Sequence, residues 1–203
     1  MINYVLASGS PRRRELLEQI GIAFEVCAAQ GEETITKKLP ADIVEELSYA
    51  KACEVAERYS DRYQTDTTVI IGADTIVAYG SEIMGKPKSE DDAAKMLRKL
   101  QNEVHQVYTG VTLVIFEQGE KRSITFHEKT DVQMYAMTEE QIQAYVATGE
   151  PMDKAGAYAI QGKCAVYIKG IQGDYNNVVG LPVAGLMQRL FSIFGAAAVY
   201  LNI

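Results

Sequence analysis

The apolar positions recur in two rhythms, and their order along the chain predicts strands and helices in alternation. Asn3 to Ala7 is a short apolar run of the buried-strand kind, followed by the small-residue turn Ser8-Gly9-Ser10. Ser10 then takes an N-cap place and Pro11 the first helical position, a helix that buries Leu16, Leu17 and Ile20 and ends at Gly21. Phe24 to Cys27 reads as a second strand. From Pro40 to about Tyr59 the spacing of Ile43, Leu47, Ala50 and Val55 predicts a long helix, with Lys51 at the edge of its apolar face. Thr68 to Ile71 and Thr75 to Tyr79 are β-branched segments flanking Gly72-Ala73-Asp74, and Gly80-Ser81 turns the chain back toward Ile83-Met84. Ser89 starts a helix with Glu90, Asp91 and Asp92 in its first turn and Lys95, Arg98 and Lys99 toward its end, as the helix dipole favours. Val111 to Phe116 and Ile124 to Tyr135 predict strands, and Thr138 with Gln141 a capping box. Ala157 to Ile160, Ala165 to Ile168 and Asn177 to Val179 suggest short strands, and an amphipathic helix follows Pro182. Hairpins mixed with strand–helix alternation predict an α/β fold with a mixed sheet.

Composition narrows the class. The chain has 203 residues, 47% of them hydrophobic and 23% charged, which excludes a disordered chain and suits one domain over 1–203. The net charge of −7 excludes a broad polyanion-binding face, so no nucleic-acid partner is expected, while a few local cations can still hold a small anion. Cys27, Cys53 and Cys164 follow neither a disulfide framework nor a zinc spacing, and they point to a reducing compartment. The arginines near the N-terminus follow the first apolar run, the reverse of a signal peptide. The longest apolar stretches, such as Phe194 to Leu201, fall far short of the roughly 20 residues a membrane span needs. A soluble, cytoplasmic protein with no membrane partner is the expectation.

Several groups could carry chemistry. Ser8-Gly9-Ser10-Pro11-Arg12-Arg13 places hydroxyls, two guanidinium forks and the amides of a helix start together, a combination suited to phosphate. Asp74, between two strand segments, is placed as a strand-end carboxylate that binds a metal or takes a proton from water, and it reads equally well as a turn aspartate satisfying local amides. Lys86 stands between Gly85 and Pro87 on a defined loop, where an ordinary exposed lysine is the simpler account. Lys51 has the same simple account, an apolar stem with its amine in water. Glu32-Glu33 suits a hard divalent cation and suits a solvated loop equally. In Thr148 to Gly162, Gln161 offers both an amide donor and an acceptor to a flat polar ring; a plain strand–turn connection is the alternative. His105 and His127 have no partner at ligand spacing and read as structural.

The motifs SGSPRR at Ser8 to Arg13, GADTIV at Gly72 to Val77, GKP at Gly85 to Pro87, YTGV at Tyr108 to Val111, TGEPMDKAGAYAIQG at Thr148 to Gly162 and VVGLP at Val178 to Pro182 occur in this order. Together they resemble the Maf family of nucleoside triphosphate pyrophosphatases, from Leu6 to about Leu190. The resemblance implies an elongated, two-lobed, mixed-sheet α/β fold similar to the inosine triphosphate pyrophosphatases. It also implies hydrolysis of a nucleoside triphosphate to the monophosphate and diphosphate with a divalent cation, Mg²⁺ or Mn²⁺. It makes Asp74 the proton acceptor, with Lys86 beside it in the catalytic set, and Ser8, Arg12, Arg13 and Lys51 phosphate-facing groups. Glu33 and Asp74 are then the metal-side carboxylates. Arg13, Thr75 and Gln161 stand at the positions linked to substrate choice and match the dTTP/UTP branch. Ala28 to Gly31 lacks the aspartate that many members carry before the acidic pair. A homodimer is implied by the resemblance alone. Two alternatives remain beside this reading: a nucleotide-binding regulator of cell division, and a purine enzyme acting on inosine or 7-methyl-GTP triphosphates.

Overall fold

The structure is a computed structural model that describes residues 2–59 and 67–200. Its seven described strands form one mixed sheet: β1 (Ile2–Leu6), β2 (Phe24–Val26), β3 (Thr67–Tyr79), β4 (Glu82–Met84), β5 (Val104–Glu117), β6 (Glu120–Met134) and β7 (Ile168–Gln172). Neighbours run in the order β2-β1-β3-β5-β6-β7, with β4 attached to β3. β1 pairs in parallel with β2 and β3, in register Leu6 with Val26 and Leu6 with Ile71, whereas β3–β4 and β6–β7 are antiparallel. The helices are α1 (Pro11–Gln19), α2 (Pro40–Tyr59), α3 (Glu90–Leu100), α4 (Glu139–Val146), α5 (Tyr175–Val179), α6 (Val183–Phe194) and α7 (Ala196–Tyr200). The α/β class with a mixed sheet is therefore present as the sequence predicts.

The chain divides into two compact units. The first comprises Met1–Asp74, Thr109–Glu128 and Gly180–Ile203; the second, Thr75–Tyr108 and Lys129–Val179. The long strands β3, β5 and β6 each run through both.

In the first unit, α2 packs unusually close to the sheet. A Cβ at Gly72 on β3 would stand 2.4 Å from the Ser48 carbonyl oxygen, and one at Gly110 on β5 would stand 2.1 Å from that of Val44. Only glycine leaves room for the helix backbone at those two places. The Ser48 and Thr112 hydroxyls, 3.0 Å apart, satisfy each other where the surfaces meet. Val5, Ala7, Ala52, Val55, Ala56, Ile70 and Val114 form the buried cluster around this contact. The buried face of α2 runs through Ile43, Val44, Leu47, Ser48, Ala52, Val55 and Ala56. Ala50, expected on that face, is exposed, because the stripe leans one position toward Val44 and Ser48.

In the second unit, the hairpin from β3 to β4 turns at Gly80-Ser81 as expected, pairing Tyr79 with Glu82. α3 is capped by Ser89, whose hydroxyl accepts from the Asp92 amide, and α4 carries the complete Thr138–Gln141 capping box. α3 packs against α4 and against the turn at Ala155–Ala157.

Three expected strands are absent. Within Ala157 to Ile160 the chain coils instead, because Gly156 and Ala157 both take left-handed φ values, 66° and 61°. Lys163–Tyr167 is a short 3₁₀ helix, and β7 begins only at Ile168. Asn177 to Val179 is the end of α5, which starts where the Asp174 carboxylate accepts from the Asn176 amide at 2.7 Å. Apolar runs of three or four residues do not distinguish a strand from a buried coil or helix turn. Cys27, Cys53 and Cys164 are free thiols. No described helix is long and apolar enough to cross a membrane.

Candidate functional site

The turn after β1 organises the first cluster. Ser8 is buried, and its Oγ accepts from the Ser10 amide at 3.3 Å and from Arg13 Nη1 at 3.0 Å. Arg13 Nε donates to the Gly180 carbonyl oxygen at 2.8 Å, so the guanidinium is held from two sides by groups 167 and 5 residues away. Ser10 occupies the N-cap position of α1 as expected, but its side chain makes no capping bond. Ile20, expected in the core with Leu16 and Leu17, is only half-buried. Burial pulls the Arg13 guanidinium below its ordinary value, and Arg12 adds to that, while Asp74 and Glu33 pull it up. The sum still leaves a charged guanidinium, since arginine does not deprotonate in proteins. Arg12, also half-buried, completes the pair of cations at the helix start.

Asp74 lies in the interior of the thirteen-residue strand β3, not at a strand break or in a turn as the glycine before it suggests. Gly72 is there for helix clearance and leaves the strand unbroken. Side chains alternate along a strand, so Asp74 shares a face with Gly72, the face on which α2 lies. Its side chain is only 11% exposed and meets Lys51 Nζ at 2.5 Å. The same ammonium takes Glu33 Oε1 at 2.7 Å. Lys51 is thus not a snorkelling surface lysine; it joins a buried carboxylate on a strand to an exposed one on a loop. Glu32, the other half of the acidic pair, is exposed.

The loop that carries Glu33 has no regular structure, and α2 fixes it at both ends. Glu54 accepts from the Gln30 and Gly31 amides at 2.9 and 3.0 Å and is paired with Arg58. Glu46 accepts from the Thr36 amide at 2.9 Å and from the Thr36 hydroxyl at 2.5 Å. These bonds hold both carboxyls below the usual range, those from the Gln30 and Gly31 amides leading for Glu54 and that from the Thr36 hydroxyl for Glu46. Sequence reasoning passed over these two acids. The available signal was their spacing, eight residues apart on one helix and so on one face, bracketing Lys51. The Gly180 carbonyl is a further partner of Arg13, and the VVGLP motif that contains it carries no sequence signal for that bond.

Thr75, Lys86 and Gln161 belong to the second unit. Thr75 follows Asp74 on β3 and is half-buried. Lys86 is exposed on a loop whose Gly85 carbonyl accepts from the Gly156 amide at 3.1 Å, and a Cβ at Gly156 would press on Val77 at 2.8 Å. The GADTIV, GKP and KAGAY motifs therefore meet. Gln161 is exposed in a turn. The two histidines are structural contacts: His105 Nε2 lies 2.7 Å from the Tyr158 hydroxyl and His127 Nδ1 2.7 Å from Glu45.

Among the described residues no three of His, Cys, Asp and Glu gather into a protein-only metal cage. Glu33 and Asp74 nevertheless suit a hard divalent cation, since two carboxylates that meet one ammonium at 2.7 and 2.5 Å already converge on one positive charge. Magnesium commonly takes one or two carboxylates and fills its shell with substrate phosphates and water.

An α/β sheet that sets cations at a strand–helix turn beside a buried carboxylate has the chemistry that suits phosphate-bearing ligands. The model of the Maf-like protein family matches residues 3–193, and the chain belongs to that family. It is 54% identical to a dTTP/UTP pyrophosphatase of Agathobacter rectalis, over 94% of this chain and 97% of that protein. It is 50% identical to a protein of the same description from Lachnoclostridium phytofermentans, over 94% of each chain, and 48% identical to one from Bacillus cereus, over 94% of this chain and 95% of that one. Among solved structures, a nucleoside-triphosphatase, dITP/XTP pyrophosphatase, of Mycobacterium abscessus aligns over 68% of this chain and 76% of its own, with 13% identity and a TM-score of 0.38.

Proposed function

We propose that this chain hydrolyses dTTP and UTP to the nucleoside monophosphate and diphosphate, working as one functional domain. The observation that carries the reading is the buried Asp74, held by Lys51 in a bridge that also takes Glu33. Relatives described as dTTP/UTP pyrophosphatases, 48–54% identical over nearly their whole length, support it.

In this reading a water attacks the α-phosphorus, the bond between the α-phosphorus and the bridging oxygen to the β-phosphate breaks, and diphosphate leaves. Asp74 takes the proton from the attacking water. Charge grows on the phosphate oxygens as this happens, and Arg12, Arg13, Lys51 and Lys86 offset it. Arg13 comes to the task already oriented by Ser8 and Gly180, so little ordering remains to be done on binding. Glu33 and Asp74 would hold Mg²⁺ or Mn²⁺, which supplies Lewis-acid neutralisation of the phosphate oxygens.

Arg13, Thr75 and Gln161 select the base. Uracil and thymine present an N–H between two carbonyls, so a single glutamine amide can serve a donor and an acceptor together. The same reading places the enzyme in the cytoplasm, without nucleic acid or membrane as partner, and as a homodimer.

The test is phosphate release from a panel of dTTP, UTP, CTP, GTP, ITP and 7-methyl-GTP, with added pyrophosphatase to convert diphosphate. dTTP and UTP should lead. Binding without turnover would leave a nucleotide-sensing protein instead, and preference for a purine would overturn the base assignment. Chelation by EDTA should abolish turnover and added Mg²⁺ or Mn²⁺ restore it; full activity in a chelated, dialysed sample removes the metal from the mechanism.

A further inference from the structure

Gln161 sits at the third position of a turn that is gripped at both ends by one side-chain relay. The turn closes where the Gly162 amide donates to the Ala159 carbonyl at 3.2 Å. On one side the Ala159 amide donates to the Tyr145 hydroxyl oxygen at 3.2 Å. That hydroxyl donates to Glu150 Oε1 at 2.9 Å. On the other side the Lys163 amide donates to Glu150 Oε2 at 3.0 Å. The polarity runs one way: two backbone donors, one hydroxyl passing the bond along, and one carboxylate receiving from both directions.

The relay is also tight. A Cβ at Gly162 would stand 2.3 to 2.5 Å from the Glu150 carboxylate atoms, so the carboxylate lies directly against the turn backbone. Tyr145 is buried and comes from α4, whose start is fixed by its capping box. Burial pushes its phenol well above the ordinary value, so the hydroxyl keeps the proton it donates. Glu150 is held from its own backbone too, where its amide donates to the Thr148 hydroxyl at 3.3 Å.

The geometry points to Glu150 and Tyr145 as positioning residues for base selection: they fix the turn from Ala159 to Lys163, and with it the direction in which Gln161 offers its amide. The inference rests on the reading that Gln161 meets the base. A glutamine at 150 brings an N–H₂ where a carboxylate oxygen accepted, and one of the two incoming donors then loses its partner. A phenylalanine at 145 keeps the packing and removes only the relay hydroxyl.

The experiment compares kcat/KM for dTTP, UTP and GTP in the full chain and in Q161A, E150Q, Y145F and the double variant E150Q/Q161A. Q161A should erode the pyrimidine preference. E150Q and Y145F should each erode it by about tenfold, with KM for dTTP rising more than kcat falls, because a site built to hydrogen-bond one edge loses discrimination when its donor is misaimed. The double variant should match Q161A, since Glu150 acts through Gln161 and has nothing left to position. If Q161A loses the preference while folded E150Q and Y145F keep it, the positioning role is overturned and the base-reading role of Gln161 stands. Further erosion in the double variant beyond Q161A also overturns it. Unchanged preference in Q161A overturns the base reading and the inference with it. Should E150Q not fold, Y145F alone decides between these outcomes.

Discussion

At the scale of single residues, the chemistry concentrates on Asp74. Its carboxylate is nearly buried and meets the Lys51 ammonium at 2.5 Å, so an asparagine there keeps the shape and one acceptor while removing the basicity. Asp74→Asn should therefore lower hydrolysis of dTTP by about 10²–10⁴, the usual loss for a general base, and leave nucleotide binding largely intact. Turnover and equilibrium binding measured on the same preparation check it, and near-normal turnover would remove Asp74 from the proton transfer. Arg13→Ala makes a complementary case. It loses part-buried bonds to Ser8 and the Gly180 carbonyl, at a cost of about 1–3 kcal/mol, and turnover of the folded variant should fall by more than the lost folded fraction explains. A variant that unfolds earlier but turns over normally while folded would make Arg13 a structural residue. Much of this site was legible in the sequence, because a serine, a turn, a proline and two arginines carry their chemistry locally. The role of Lys51 was not legible by periodicity. Its helical position allowed a plain snorkelling side chain, and only the strand brought beside it decides the matter. The roles of Glu46, Glu54, Glu150 and Tyr145 were hard to read for the same reason: each acts on backbone amides distant in sequence or set in irregular chain, and only the spacing of Glu46 and Glu54 on α2 hinted at a shared face.

At the scale of elements, the site depends on how closely α2 approaches β3. The Ser48 carbonyl and the Ala52 amide stand 2.4 and 2.8 Å from where a Cβ on Gly72 would lie. Gly72→Ala must push the helix off the strand, and overpacking of this kind costs about 1–3 kcal/mol. The retreat carries Lys51 away from Asp74, so activity should fall by more than the lost folded fraction explains. Denaturant unfolding together with turnover at a temperature where the variant is fully folded separates the two effects; an alanine variant with native stability and rate would show that the helix does not need this seat. The elements themselves divide by what specifies them. α3 and α4 were legible because Ser89 and the Thr138–Gln141 pair cap them within a single turn. β1, β2 and the β3–β4 hairpin were legible from β-branched runs and a two-residue turn. The segment from Ala155 to Tyr167 was not, because its path is dictated by a left-handed Gly156-Ala157 pair and by the grip of Glu150 on the Lys163 amide. β3 was read as two pieces because the glycine that serves the helix looks, in sequence, like a break.

At the scale of the whole molecule, the buried histidine sets how the fold responds to acid. His105 is fully buried, its Nε2 is engaged with the Tyr158 hydroxyl, and burial pulls its pKa down to about 4 from the ordinary 6.5. The unfolded chain therefore binds a proton that the folded chain refuses between these two values. Stability from this group is complete above about pH 6.5, falls as the pH drops toward 4, and changes no further below that. The slope in that window approaches about 1.4 kcal/mol per pH unit, for a total of a few kcal/mol. The carboxylates act lower on the scale and in the same direction, here because their charged form is favoured by its partners and not because it is disfavoured by burial. Arg98 holds the Glu139 carboxyl down to about 2, and amide and hydroxyl bonds depress Glu46 and Glu54, so their contributions are present above about pH 4.5 and are lost as the pH falls through their folded values. Two stages of acid weakening result, histidine first and carboxylates second. Urea unfolding free energies measured from pH 7.5 to pH 3 should show both. In His105→Gln the overall stability is lower, because a buried partner of Tyr158 is exchanged for a poorer fit, but the slope between pH 6.5 and 4 should flatten while the stage below 4.5 stays. An unchanged upper slope in that variant would assign the first stage to groups other than His105.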